Sequence, residues 1–226
     1  MSRSMLDRWT GRALLLGEGG VWDGERHWPG FDDWCSAHAG QSCRLWLSSA
    51  WLHELVCAED LPLHDDAAAI EWARGVLLHY HGEAAMGWPL AAWQQGRRRG
   101  VSALHGLSLD GLRSTAQASK VKLRAVMPWW SCALRRALHR RSTLRRGPAR
   151  LLVVEGRRLA VLDLQGGRIT QLQLRQLDSA EGLALQPWCE GEAPTLATGY
   201  GLAGAPPARI VTLAALDGAA PPAGWT

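Results

Sequence analysis

Short apolar runs alternate along this chain with amphipathic stretches of period near 3.6, the pattern of strands interleaved with helices. Ala13 to Leu16 predict a first strand, and Val21 to Trp28 its hairpin partner, turning at Gly19 and Gly20. Phe31 to Ala39 predict a short helix that Gly40 ends. Two apolar runs, 44–48 and 51–57, are split near Ser49 and Ala50 and predict a hairpin. Asp65 or Asp66 caps a helix with Ala69, Trp72, Ala73, Val76 and Tyr80 on one face, and Gly82 closes it. Trp88 to Gln94 and Val101 to Leu104 predict an antiparallel pair. Ser108 caps the next helix, with Leu109, Leu112 and Ala116 on one face. Val121 to Met127 predict a strand, ended by Pro128.

The helix that follows is amphipathic, with Trp130, Ala133, Leu134, Ala137 and Leu138 inside and Arg135, Arg136, Arg140 and Arg141 outside. Gly147–Pro148 then divides the chain into a first lobe, residues 1–147, and a second, shorter lobe, 148–226, with a Pro/Gly tail. Three strands at 150–155, 158–164 and 168–174 turn at Gly156 and at Gly166–Gly167. A short helix at Ser179 to Gln186 and a final strand at 208–216 complete the expectation. The fold class is therefore α/β, with two lobes of mixed sheet covered by helices. The three-strand opening of each half reads as an internal echo.

Composition narrows the picture without naming a chemistry. A chain of 226 residues, 47% hydrophobic and 20% charged, is long enough to bury a core without metals or disulfides. The net charge of +4 is concentrated: seven Arg and no acid lie between Arg135 and Arg150. That segment suits an acidic protein partner or an anionic membrane surface, with Arg135, Arg136, Arg140, Arg141, Arg145 and Arg146 as candidate partner-binding residues. The five Cys form no C-x-x-C pair, which points to a reducing compartment. No apolar signal-peptide core follows Met1, and no run approaches the length of a membrane-spanning helix. A cytoplasmic protein is the expectation, peripheral at the inner membrane if the Arg segment meets lipid.

Several motifs have structural explanations that outweigh their chemical ones. Gly199-x-Gly201-x-x-Gly204 matches a dinucleotide fingerprint in form, but Pro206 and Pro207 forbid the helix such a motif opens. Gly40 to Arg44 lacks the second Gly of a nucleophile elbow. His79 and His81, two apart on a helix, face away from each other and make a poor metal pair. Asp23, Glu155 and Asp163 could form a two-metal nuclease site only if they clustered on adjacent strands. Trp129–Trp130 beside the Arg run resembles a base-stacking platform, yet Trp130 is in phase with Leu134 and Leu138 and is expected in the core.

The order of hairpin, capped helix, W-x-L-x-x-W (88–93), G-V-S-A-L (100–104), L-x-x-L-x-x-x-A (109–116) and V-x-L-x-x-V-x-P (121–128) carries a family resemblance. It resembles the actin-like, ribonuclease-H-like cytoplasmic proteins of bacterial envelope machines. These are the type IV pilus protein PilM and the cytoplasmic part of the L-type protein of type II secretion. The meander LLVVEGRRLAVLDLQGGRI is similar to their second subdomain, and LATGYGLAG (196–204) to the segment that closes it. In relatives that bind ATP, an Asp-x-Gly turn opens each lobe. The matching turns here hold Glu18, Gly19 and Gly20, and Glu155, Gly156 and Arg157 followed by Arg158, with no Asp. The resemblance thus implies a pseudo-ATPase: a non-catalytic scaffold without cofactor or small-molecule substrate that binds a protein component of a pilus or secretion machine. The competing implications are an ATP-binding assembly protein and a nucleic-acid-binding ribonuclease-H-like domain, although nucleic acid is not the expected partner.

Overall fold

The computed structural model describes residues 11–96 and 98–218. Two five-stranded sheets in it repeat one strand plan. The first contains β1 (Arg12–Gly17), β2 (Gly20–Trp22), β3 (His27–Trp28), β4 (Ser42–Leu47) and β8 (Lys122–Pro128), ordered β3-β2-β1-β4-β8. Here β1, β2 and β3 form an antiparallel meander, while β4 and β8 add in parallel. The second contains β9 (Pro148–Glu155), β10 (Arg158–Gln165), β11 (Arg168–Gln176), β12 (Thr195–Tyr200) and β13 (Ile210–Thr212), ordered β11-β10-β9-β12-β13. Its first three strands are again a meander, with β12 and β13 parallel. The internal echo in the sequence is this shared topology.

A third, three-stranded sheet is inserted between β4 and β8. It pairs β5 (Leu52–Val56), β7 (Arg98–Leu104) and β6 (Leu90–Gln95), all antiparallel, in the order β5-β7-β6. Runs 44–48 and 51–57 are consequently not a hairpin. β4 bonds to β1 and β8, and the chain leaves the first sheet through a 3-10 turn at Ser49–Trp51. The tight turn was legible, but the parallel neighbours that compete for β4 lie far away in sequence.

Four α-helices cover these sheets among the described residues: α1 (Phe31–Ala37), α2 (Asp66–His81), α3 (Leu109–Ala118) and α4 (Trp129–Arg140). Asp65 caps α2 by accepting the Ala68 N–H, and Ser108 caps α3 by accepting the Gly111 N–H. The buried stripe of α2 runs Ala69, Ala73, Leu77, so Tyr80 is exposed rather than inside. Tyr80 shares the phase of Ala69 and Ala73, but the last buried position of the helix is Leu77, which packs on Ala85 and Ala103, and cover ends beyond it. The second half has a thinner helix layer: residues Gly182–Cys189 form a 3-10 helix in place of the expected α-helix, with Pro187 inside it. The final strand spans only Ile210–Thr212, because pairing with β12 covers just three positions.

Packing joins the halves. Leu14, Leu16, Leu45 and Leu47 face α1 and α3, whereas Leu15 and Trp46 point the opposite way, toward α4. On β9, Leu151 and Val153 face the same α4 core, and Leu152 and Val154 face Leu185, Cys189 and Leu202. Helix α4, with Trp129, Trp130, Ala133 and Leu134 buried, therefore lies in a core shared by both sheets. Burying a Leu-sized side chain contributes about 1.5–3 kcal/mol, so this shared core is a major tie between the halves.

Candidate functional site

The repeated strand plan brings the two meander turns together. Glu18, Gly19 and Gly20 from the β1–β2 turn, and Glu155 and Arg158 around the β9–β10 turn, line a cleft of about 190 Å³ with Ser48, His27 and Tyr200. An ion pair joins the turns: Arg158 donates from Nη2 to Glu18 Oε1 at 3.2 Å. The Glu155 side chain is buried and accepts the Ser49 backbone N–H at 3.1 Å. Burial pushes its carboxyl above the ordinary carboxylate range, with Ser48, Ser49 and Arg158 opposing the rise. Gly156 bonds to the Tyr200 carbonyl at 2.8 Å and Arg157 donates to the Leu177 carbonyl at 3.1 Å. Arg158, not Arg157, is thus the cation that reaches the cleft.

The glycines of the apparent dinucleotide fingerprint serve the backbone. A Cβ on Gly199 would lie 1.9 Å from the Val154 carbonyl oxygen, and one on Gly201 would lie 2.8 Å from Gly156 Cα. Their φ values of 142° and 81° also disfavour a side chain. Gly199 and Gly201 let the end of β12 press against β9 and its turn.

The Arg segment borders a larger open groove of about 1000 Å³. Arg135, Arg136 and Arg140 on α4 line it together with Arg145, from the 3-10 turn Ser142–Arg145. Arg141 and Arg146 are exposed but do not line it, and Arg150 lies apart, with Nε on Asp163 Oδ1 at 2.7 Å. Trp93, Trp130, Leu134, Leu138 and Ile169 form an apolar floor. Trp130 is 4% exposed, in agreement with its helical phase.

Beneath that floor lies a carboxylate that the sequence pattern hid. Glu54 on β5 accepts the Trp130 indole N–H at 2.8 Å, the Trp93 indole N–H at 3.1 Å and the Ser102 hydroxyl at 2.8 and 2.9 Å. Burial pushes its carboxyl up to about 7, although these donors pull it down. The two indoles meet edge to face, with centroids 5.4 Å apart. A lone Glu within AWLHELVC was the available signal.

His53, the preceding residue, points to the other face of β5 and stacks with Trp88 at 4.9 Å, with His81 and His105 each at 4.4 Å. Burial lowers the His53 pKa to about 4, and the neighbouring His105 and His81 reinforce this. The fold supplied His81 with neighbours that its own helix did not. No grouping among the described residues meets the geometry of a metal site.

Asp23 and Asp163 are engaged elsewhere. Asp23 accepts the Glu25 and Arg26 backbone N–H groups at 3.0 Å and the Trp28 indole at 2.8 Å. Burial alone would raise its pKa, but the bonds from Arg26, Trp28 and Glu25, with Arg12 nearby, hold it below the usual value. Asp163 is paired with Arg150. Each of Asp23 and Asp163 is held by partners of its own.

No protein-family model matches this chain, and no curated protein matches it significantly in sequence. Solved structures do. The cytoplasmic domain of EpsL, an inner membrane component of the type II secretion system of Vibrio cholerae, aligns at 14% identity. That alignment has a TM-score of 0.53 and covers 90% of this chain and 89% of that one. A Bacteroides thetaiotaomicron protein with an actin-like ATPase fold aligns at 6% identity and TM-score 0.53, over 88% and 85% of the two chains. The PilM–PilN type IV pilus biogenesis complex aligns at 11% identity and TM-score 0.49, over 70% and 62%. The chain has a two-lobed, actin-like α/β fold, as its element order implied.

Proposed function

With the actin-like fold as premise, we propose that this chain is a non-catalytic assembly protein of a type II secretion or type IV pilus machine. It works by holding a protein component of that machine at the cytoplasmic face of the inner membrane. The observation that carries this reading is the state of the two turns. Where nucleotide-binding relatives present small polar residues and a metal-holding Asp, this chain places a Glu18–Arg158 ion pair and a buried Glu155. The Glu18 carboxylate repels a phosphate chain, the buried Glu155 is turned to the Ser49 N–H, and Arg158, the Arg that lines the cleft among the described residues, is already paired with Glu18. The cleft volume of about 190 Å³ also falls below the roughly 300–1,000 Å³ of ordinary ligand pockets. These residues do not fit a magnesium nucleotide.

The overall likeness to the EpsL cytoplasmic domain, which spans nearly the whole chain, supports the choice of machine. Among the described residues no helix is long and apolar enough to cross a membrane. The test is magnesium-ATP titration and turnover with purified protein, alongside in-cell crosslinking to inner-membrane subunits of the secretion or pilus platform. The expected result is no turnover with specific crosslinks to one such subunit. Turnover that Glu155→Ala abolishes would overturn the reading in favour of an active ATPase.

A further inference from the structure

We infer that the groove between α4, β6 and β11 is the docking site for an acidic, amphipathic peptide segment of a protein partner. This deepens the scaffold reading and rests on it, because it names the surface and the chemistry of what is held. Charge complementarity carries the choice of occupant. Arg135, Arg145 and His139 line the groove together with Arg136 and Arg140, and among the described residues no Asp or Glu lines it. The cations are spread over two elements: Arg135, Arg136 and Arg140 on α4, where Arg135 and Arg140 are separated by about 8 Å of helical rise, and Arg145 on the 3-10 turn. A lone phosphate would call for donors aimed at one point, whereas a series of carboxylates along an extended or helical segment matches this spacing.

The floor selects for the apolar half of the same segment. Glu54 holds both indoles from below, so Trp93 and Trp130 are fixed before any ligand arrives. Gln95 ties the groove wall to β11, its Oε1 accepting the Ile169 N–H at 2.8 Å and its Nε2 donating to the Gly167 carbonyl at 3.3 Å. Preorganised aromatic anchors ringed by Arg are the composition of binding hot spots, since little side-chain freedom is lost on docking. A lipid surface fits less well. Here the apolar groups are recessed between the charges, and a bilayer needs them to protrude.

The probe is a short fluorescein-labelled peptide of alternating Glu and Leu pairs, read by fluorescence anisotropy against the full chain. A Lys-and-Leu peptide and phosphatidylglycerol vesicles serve as comparisons. The acidic peptide is expected to bind with an affinity that falls as salt rises, and the Lys peptide is expected not to bind. Arg135→Glu with Arg145→Glu is expected to weaken binding at least tenfold at an unchanged melting temperature. Leu138→Ala, which leaves the charges in place, is expected to weaken it several-fold. Equal binding of both peptides, affinity unmoved by the Arg reversals, or vesicle binding in place of peptide binding would each overturn the inference. If the peptide fails while the in-cell crosslinks persist outside the groove, the docking site is wrong and the scaffold reading stands. If ATP turnover is found while the peptide binds the groove, the reverse holds.

Discussion

Arg158 reaches back 140 positions to meet Glu18 at 3.2 Å, so the two meander turns of a repeated strand plan are stapled tip to tip. Both side chains are substantially exposed, at 39% and 59%, so solvent screens the pair. A double-mutant cycle of Glu18→Gln and Arg158→Gln in urea melts is expected to give a coupling of about 1 kcal/mol or less. That coupling is expected to shrink further as salt is raised.

Glu54 and His53, adjacent on β5, give opposite pH dependences. Glu54 titrates near 7 in the folded protein against 4.5 normally. The folded state therefore binds its proton more tightly, and its contribution to stability is lost as pH rises from about 4.5 to 7. His53 titrates near 4 against 6.5, so the unfolded chain binds that proton more tightly and stability is lost as pH falls from 6.5 to 4. Between pH 4.5 and 6.5 the two slopes oppose. His53→Asn is expected to unmask a decline in stability with rising pH, of at most about 1.4 kcal/mol per pH unit. Glu54→Gln is expected to unmask the opposite slope. Urea melts at half-unit pH steps read both.

Gly199 and Gly204 separate backbone crowding from backbone strain. Both have positive φ, but only Gly199 has a neighbour, the Val154 carbonyl oxygen, where a Cβ would lie. Gly204→Ala is expected to cost about 1–2 kcal/mol from conformation alone. Gly199→Ala is expected to cost clearly more, because β12 must move off β9. Thermal melts of the two variants test the ordering.

Leu144, fully buried below the basic segment, packs into the core that both sheets share. Leu144→Ala is expected to cost about 2–5 kcal/mol. Unfolding is expected to remain a single transition by far-UV circular dichroism and tryptophan fluorescence together. Two separated transitions would show that the halves unfold independently.

Features set by local chemistry were legible in the sequence: the Asp65 and Ser108 caps, the second meander and the inward phase of Trp130 follow from neighbours within a few residues. What depended on distant partners was not. β4 looked like half a hairpin because β1 and β8, which claim both its edges, lie far off in sequence. Tyr80 looked buried because helix period alone does not say where the supporting sheet ends. At the candidate sites, the Arg run was visible, and so were the turns that lack Asp. The floor of the groove was not, since Glu54 draws its donors from Trp93, Ser102 and Trp130 on three other elements.

Helix α4 gives synthesis an order. When residues up to Arg140 have emerged, Trp129, Trp130 and Ala133 can settle on Leu15 and Trp46. The apolar surface they share with Leu151, Val153, Ala160 and Leu162 has no cover until β9 and β10 are made. A nascent first half therefore carries a sticky, unfinished face during translation, the kind of surface that chaperones shield and that aggregates when translation stalls. A ribosome pause that leaves α4 outside the exit tunnel while β9 and β10 are still within it would keep that face open for longest.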